Sequence, residues 1–268
     1  MLRFILAFAL IFSFVFGIGN GQSEILLRHK EDAKELSING KKAQWIDHPV
    51  LKDYKFAIIS APYKSKSDIN ITNGDEKLSL KLQTLPYKKE TLNVQPGKIN
   101  PPKSVQKRIQ AELKEANKVY STFTQGLFIN KEFIYPLNSK ITSPFGTARV
   151  YNGMLKSYHG GTDFRAAIGV KIPASNAGIV RIAKDRYYAG GSVVIDHGSG
   201  IYTQYYHLSK ILVKVGDEVK RGQIIALSGA SGRVSGPHLH FGVFANGAQV
   251  DPMHFISNFN QSIFTSQN

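Results

Sequence analysis

The chain has 268 residues, 42% of them hydrophobic, which is enough apolar material for a domain of ordinary size and a smaller one. Its net charge of +15 favours a polyanionic partner such as nucleic acid, anionic lipid or a cell-wall polymer, unless the lysines only solvate the surface. The absence of cysteine excludes disulfides, thiol catalysis, cysteine-based zinc sites and lipid anchoring through an N-terminal cysteine. No RNA-module signature or helix-turn-helix pattern supports nucleic acid as the partner.

The N-terminus has the three parts of a secretory signal peptide. Arg3 gives a basic start, residues 4–16 form an apolar run, and glycines follow at every second position up to Gly21. The apolar run is short for a membrane span, so residues 1–21 are predicted to be a signal peptide. An uncleaved membrane anchor is the alternative, and both place the rest of the chain outside the cytoplasm.

Residues 22–98 are predicted to form a small all-β domain of unknown role. Leu78, Leu80 and Leu82 alternate with polar residues and therefore fall on one face of a strand. Asn73-Gly74, a hairpin-type turn signal, precedes that strand.

Residues 99–129 are predicted to be a helical linker. Asn100 can cap the helix, with the two prolines 101–102 in its first turn. Apolar residues then recur at helical spacing among Lys, Gln and Glu: Val105, Ile109, Leu113, Ala116 and Tyr120. The amphipathic pattern indicates one helix that packs on its own protein and joins the two parts.

Residues 130–256 are rich in glycine and in short apolar runs. Residues 192–207 read as strand, turn and strand, and residues 239–244 add another strand. No helix is predicted in 131–256, so this part is expected to be an antiparallel β domain. The polar tail, residues 257–268, is expected to fray.

Six of the eight histidines lie in the second half of the chain. His159 and Asp163 are four residues apart, and His238 and His240 are two apart, so that in a strand both rings face the same side. A catalytic zinc site takes three protein ligands and leaves a fourth position open for water. Four candidates are one more than the metal needs, and the extra histidine can act on the bound water.

The acid–base inventory of this half also points to histidine. Its only glutamates, Glu132 and Glu218, lie far along the chain from both pairs of candidate ligands, so a helical HExxH site is absent. The candidates for base or transition-state stabiliser are His238, in the second pair, and His207, at the end of its own strand. The remaining two histidines of this half are interpreted as structural: His197 and His254.

Four segments in this order resemble the lysostaphin-type, LytM-like zinc metallopeptidases: 141–146, HGGTD at 159–163, 191–209, and SGRVSGPHLHFGV at 231–243. The resemblance covers about residues 137–253. It implies one zinc ion per chain, and the positions that match the family's ligands are His159, Asp163 and His240. It also implies that His207 and His238 are the catalytic histidines.

The implied fold is mainly β: an antiparallel β catalytic domain of LytM type, preceded by a small all-β domain and one linking α-helix. The implied activity is hydrolysis of peptide bonds in the stem peptides or cross-links of peptidoglycan. A β domain and a helix before the catalytic domain resemble periplasmic members from Gram-negative bacteria. This arrangement favours a DD-endopeptidase or carboxypeptidase over a glycyl-glycine endopeptidase, with the periplasm as its location.

The sequence is compatible with three other interpretations. Some relatives lack metal ligands and only activate other wall enzymes, but here no ligand position is missing. Residues 215–223 resemble the turn of a lipoyl- or biotin-type carrier, which has no use for the HxxxD and HxH pairs. A basic lipid or nucleic-acid binder rests on composition alone. The family fold that the resemblance implies has a groove over the metal. The first domain or the helix could restrict access to this groove, or could place the enzyme on the cell wall.

Overall fold

The computed structural model describes residues 17–92, 101–151 and 155–265. Over these residues the fold is mainly β with largely antiparallel sheets, which confirms the predicted fold class. No helix within them is both long enough and apolar enough to cross a membrane. Residues 1–16 of the predicted signal peptide, which include its apolar run, lie outside the described residues.

The first part of the chain contains eight strands in two sheets. Strands β1, β8, β7, β3 and β4 form one sheet in that order, and β2, β6 and β5 form the other. The strands are β1 (Gly17–Gly19), β2 (Ser23–His29), β3 (Leu36–Ile38), β4 (Lys41–Ala43), β5 (Ile46–Asp47), β6 (Tyr54–Ser60), β7 (Ile69–Asn73) and β8 (Glu76–Gln83). A short 3₁₀ helix, Lys30–Asp32, follows β2. The predicted leucine face of β8 packs on a small apolar core, and the hairpin turn lies at Gly74.

The next elements are β9 (Lys89–Leu92) and helix α1 (Lys103–Tyr120). The helix begins after Pro102, which holds the N-cap position predicted for Asn100; Asn100 itself lies outside the described residues. Ala116 of α1 is buried against Ile182, Val194 and Tyr202. The helix therefore packs on its own protein through the C-terminal part of the predicted face, Ala116 and Tyr120, whereas Leu113 of that face is 58% exposed.

Thirteen strands make up the rest of the β structure. They are β10 (Ile141–Ser143), β11 (Ala148–Tyr151), β12 (Leu155–Tyr158), β13 (Thr162–Arg165), β14 (Lys171–Pro173), β15 (Gly178–Arg186), β16 (Gly190–Asp196), β17 (Ile201–Leu208), β18 (Lys210–Ile211), β19 (Glu218–Val219), β20 (Ile224–Leu227), β21 (His238–Ala245) and β22 (Ala248–Val250). The main sheet has the order β10-β13-β21-β17-β16-β15-β19, with β22 paired to β21. Two smaller sheets have the orders β14-β20-β18 and β12-β11-β9.

The centre of the main sheet is covered on both faces. Every residue of β16 is buried: Val193 and Ile195 face the largest core, whereas Val194 faces helix α1. Successive side chains in a strand point to opposite faces, so an unbroken apolar run is what a strand covered on both sides requires.

The largest core is shared between the two halves of the chain. It joins Phe56 and Ile58 of β6 to Phe259 near the C-terminus, and the Phe56 and Phe259 rings meet edge to face at 5.9 Å. Two hydrogen bonds cross the same boundary: Ser60 Oγ donates to the Ala245 carbonyl at 2.9 Å, and Asn246 Nδ2 donates to the Ile58 carbonyl at 2.7 Å.

The C-terminus differs from the prediction. Residues Pro252–Asn260 form helix α2, followed by a π-helical turn, Gln261–Thr265, in place of a strand-only domain and a fraying tail. The Asp251 carboxylate caps α2 by accepting from the backbone N–H groups of residues 253 and 254. The missed signal is the set of buried apolar residues at helical spacing within a polar sequence: Phe255, Ile256, Phe259 and Ile263.

The folded chain also starts earlier than residue 22. Strand β1 pairs in parallel with residues 81–83 of β8, and Ile18 is only 1% exposed. A Cβ at Gly17 would lie 2.9 Å from the Lys81 carbonyl oxygen, and one at Gly19 would lie 2.6 Å from the Leu85 side chain. Close packing therefore explains the small residues that suggested a cleavage motif.

Candidate metal centre

Two adjacent strands and the loop before one of them bring three metal-binding side chains together. Asp163 on β13 lies directly opposite His240 on β21 in the antiparallel register, and His159 lies at the end of β12, just before β13. All three are buried, and one ligand atom from each lies within 4.8 Å of the others. In the part of the chain that the structure describes, this is the one such group.

The ligand atoms form a compact triangle. Asp163 Oδ1 is 2.9 Å from His159 Nε2 and 2.9 Å from His240 Nδ1, and the two nitrogens are 3.0 Å apart. A tetrahedral zinc ion with ligands at about 2.0–2.1 Å sets those atoms about 3.3 Å apart. The donor set and its spacing therefore fit a zinc ion after an outward shift of a few tenths of an ångström.

The glycines of the HGGTD motif have a structural reason. A Cβ at Gly161 would lie 2.6 Å from His240 Nε2 and 2.5 Å from the Phe241 carbonyl oxygen. A Cβ at Gly160 would lie within 2.7 Å of the Gln249 side-chain amide. A side chain at Gly161 would therefore collide with the backbone and the ligand ring of β21, whereas one at Gly160 would displace the Gln249 side chain.

The pKa values of Asp163 and His240 are both shifted toward the protonation states that a metal requires. Burial alone would raise the pKa of Asp163, but hydrogen bonds from the His159 and His240 rings outweigh it and hold the pKa well below its usual range. Burial lowers the pKa of His240, against the opposing effect of the Asp163 charge. An ionised carboxylate and a neutral imidazole are the forms that coordinate a cation.

His159 is oriented by the loop before β11. Its Nδ1 lies 3.0 Å from the Pro144 carbonyl oxygen and 3.3 Å from Ser143 Oγ. A carbonyl oxygen only accepts, so Nδ1 donates to it. Nε2 is the ring nitrogen that faces the triangle, where a bound metal would take the place of its hydrogen bond to Asp163.

A second histidine pair lies beside the ligands. The His207 and His238 ring centroids are 4.8 Å apart, and His238 Nε2 is 3.7 Å from Asp163 Oδ1. The predicted face sharing of His238 and His240 on one strand is therefore observed. His207 has a φ of 64°, in the left-handed region that residues with a Cβ rarely adopt, so the end of β17 is held in a strained conformation.

Both rings of this pair are oriented by backbone carbonyls. His207 Nδ1 is 2.9 Å from the Ser231 carbonyl oxygen, and His238 Nδ1 is 2.9 Å from the Gly236 carbonyl oxygen. Each Nδ1 thus donates, and each Nε2 remains a proton acceptor. Burial, together with the neighbouring rings of His240 and His238, lowers the pKa of His207 to about 3, so His207 is neutral at physiological pH.

The other two histidines of this half make structural contacts. His197 is fully buried, with Nδ1 at 2.6 Å from the Ala177 carbonyl oxygen and Nε2 at 2.8 Å from Thr203 Oγ1. His254, on α2, lies 3.7 Å from the Glu24 carboxylate of β2. Neither belongs to the ligand group.

Two residues that the sequence analysis did not single out touch the ligands. The Tyr206 ring stacks on the His240 ring at 5.4 Å with an interplanar angle of 3°, because the two residues are paired across β17 and β21. Arg149 on β11 approaches Asp163, with Nη2 at 3.5 Å from Oδ2. Nothing in the sequence pairs Tyr206 with His240 or Arg149 with Asp163, because both contacts arise only in the folded sheets.

A buried triangle of two imidazoles and one carboxylate, beside two further histidines on an antiparallel β domain, is the arrangement of a metal-dependent hydrolase. Residues 157–252 match the family model described as Peptidase family M23. The segment that matches this family therefore contains all five site residues: His159, Asp163, His207, His238 and His240.

The comparisons with individual proteins agree with this match. The chain is 46% identical over 122 residues to peptidoglycan DD-endopeptidase ShyA of Vibrio cholerae. This aligned segment is 44% of the present chain and 28% of ShyA. It is 40% identical over 112 residues to lysostaphin of Staphylococcus simulans, covering 40% of this chain and 23% of lysostaphin. The chain thus spans less than a third of the length of these curated relatives.

One of the similar solved structures matches this chain well beyond residues 157–252. The crystal structure of a Pseudomonas aeruginosa protein described as a peptidase M23 superposes with a TM-score of 0.66 at 28% identity. The match covers 88% of this chain and 93% of that one. The likeness therefore includes much of the first half, which the family model does not reach.

Proposed function

We propose that the chain is a zinc metalloendopeptidase that hydrolyses peptide bonds in peptidoglycan. His159, Asp163 and His240 hold one zinc ion, and His207 and His238 are the catalytic histidines. The observation that carries the proposal is the buried triangle of ligand atoms with two proton-accepting imidazoles beside it. The names of the relatives ShyA, ShyB and ShyC, all peptidoglycan DD-endopeptidases, support the substrate.

Zinc, when bound, acidifies a water molecule and polarises the carbonyl of the peptide bond that is cut. The free Nε2 atoms of His207 and His238 are placed to accept the proton of the attacking water and to return it to the leaving amine. Their carbonyl-bonded Nδ1 atoms keep each ring in one tautomer throughout. A protonated ring would also stabilise the negative oxygen that develops on the substrate.

We further propose that the bonds cut are those to D-amino acids in cross-linked stem peptides. DD-endopeptidase is the printed activity of relatives with 38–46% identity, including 46% for ShyA. The same domain type also occurs in a relative with another printed activity, glycyl-glycine endopeptidase ALE-1 of Staphylococcus capitis, which is 41% identical over 106 residues. Cleavage of D-amino acid bonds rather than glycyl-glycine bonds agrees with the β domain and helix that precede the family domain.

The rival function is that of a wall-binding activator without activity of its own. An activator of this type needs no complete ligand set, whereas all three ligands meet here within hydrogen-bonding distance. Purified sacculi separate the two functions, because the enzyme alone releases soluble muropeptides from them and an activator releases none without a second hydrolase.

Export to the periplasm is part of the proposal, and the structure limits where a signal peptide can be cut. Removal of residues 1–21 would delete β1 and the Gly21 carbonyl that accepts a hydrogen bond from the Asp251 N–H at 2.7 Å. We therefore expect the mature protein to begin at or before Gly17. N-terminal sequencing of the protein recovered from the periplasm checks this, and a start at residue 20 or 22 would contradict it.

A further inference from the structure

We propose that Glu90 and Arg149 form a two-residue relay that positions the metal ligand Asp163. Glu90 comes from the part of the chain before helix α1, so the relay makes that part a component of the metal centre. The inference rests on the proposed zinc site but not on the proposed substrate. Glu90 and Arg149 are positioning residues, since neither is a member of the ligand group.

The first link joins Arg149 to the ligands. Its Nη2 lies 3.5 Å from Asp163 Oδ2 and donates to Ser143 Oγ at 2.9 Å. Ser143 Oγ in turn lies 3.3 Å from His159 Nδ1. One guanidinium therefore reaches the outer side of two of the three ligands, and its side chain is only 21% exposed.

The two oxygens of Asp163 have separate partners. Oδ1 faces the two ligand imidazoles at 2.9 Å, whereas Oδ2 faces Arg149. A cation on the second oxygen restrains rotation of the carboxylate and keeps the first oxygen aimed at the metal position. Without Arg149, the carboxylate is free to turn away from the ligand triangle.

The second link joins Arg149 to Glu90. Strand β9 pairs in parallel with β11, and Glu90 is the register partner of Arg149. Glu90 Oε2 lies 3.6 Å from Arg149 Nε, a buried donor that has no closer acceptor among the described residues. The positive Arg149 guanidinium would repel a divalent cation bound beside it, which weakens metal binding. The negative charge of Glu90 offsets that repulsion.

The segment before β9 packs against the loop before β11, which orients His159. Tyr87 donates a hydrogen bond to the Asn20 carbonyl oxygen, and its ring meets Phe145 at 6.0 Å. A Cβ at Gly146 would overlap the Tyr87 ring, and the Gly146 N–H donates to the His159 carbonyl oxygen at 2.8 Å. The strand that carries Glu90 is thus braced against the loop that orients His159.

The relay predicts that Arg149→Ala and Glu90→Gln each weaken zinc binding by about 10–100-fold, the usual effect of losing a group that orients a ligand. Affinity is measured on the full-length protein by competition with a chromogenic chelator, without substrate. Because Glu90 acts through Arg149, adding Glu90→Gln to Arg149→Ala should produce no further loss. Arg149→Lys keeps the charge and should recover part of the affinity.

The matched control is Glu218→Gln, which removes the same charge at an exposed position at the far edge of the main sheet. It should bind zinc like the wild type, and thermal unfolding of each metal-free variant checks that it is folded. Wild-type affinity in a folded Glu90→Gln variant, or additive losses in the double variant, would overturn the relay. Because no substrate is used, failure to hydrolyse peptidoglycan would leave these outcomes unaffected.

Discussion

His240→Ala is expected to lose both bound zinc and peptidoglycan hydrolysis. The substitution removes one of three ligand atoms, and it leaves the buried Asp163 with one imidazole partner in place of two. Loss of the ion removes several kcal/mol of transition-state stabilisation, which corresponds to a fall in kcat/KM of about 10³-fold or more. Elemental analysis of the purified variant and release of muropeptides from sacculi measure the two losses.

The control for this experiment is His29→Ala, which removes a half-exposed histidine from the first β domain. It should keep one zinc ion per chain and wild-type turnover. Full zinc occupancy in His240→Ala would contradict the ligand assignment, whatever its activity.

His207→Ala and His238→Ala are expected to keep zinc and to lose most turnover. The two rings flank the ligands without joining the group, so their removal acts on proton transfer and not on the metal. Loss of a general acid or base typically lowers kcat by about 10²–10⁴-fold. Zinc content and kcat are measured on the same preparations, with KM expected to change less than kcat.

A variant of this pair that retains near-normal turnover would remove that histidine from the mechanism. A variant that loses its zinc would instead make the histidine a ligand. His254→Ala is a suitable comparison, since His254 contacts Glu24 and lies outside the ligand group.

The candidate ligands could be predicted because they occur in two local pairs, His159 with Asp163 and His238 with His240. The i, i+2 pair His238 and His240 shares a strand face by geometry alone. The assignment of His159, Asp163 and His240 as ligands came from the family resemblance, because the residues alone left four candidates for three places. The structure brings those three together and leaves His238 beside them.

The supporting contacts could not be predicted because they depend on register between distant segments. Glu90 meets Arg149 across 59 positions through the parallel pairing of β9 with β11, a register that no periodicity encodes. The stack of Tyr206 on His240 depends in the same way on the pairing of β17 with β21.

At both ends of the chain, a local sequence signal has a second explanation in the structure. Glycines at positions 17 and 19 fit a cleavage motif, yet each also lies where a Cβ would collide with its neighbours. At the other end, polar residues hid the buried Phe255 and Phe259 of α2. In both cases the packing of distant segments accounts for the observed structure, and composition alone does not reveal it.

The shared core bears on the hypothesis that the first domain restrains the enzyme. Phe56 and Ile58 pack in the same core as Phe255 and Phe259, so removal of the first half would expose apolar surface. The relay from Glu90 assigns this half a supporting contribution to the metal centre. Variants in the full-length protein are therefore a better test of its role than a truncated form.

Digestion of a defined cross-linked muropeptide dimer, with products identified by mass, tests the central claim most directly. The zinc-loaded protein is expected to convert the dimer to monomers by cutting the bond to the D-amino acid in the cross-link, and the His240→Ala variant is expected to leave it intact. An intact dimer after incubation with folded, zinc-loaded protein would contradict the account.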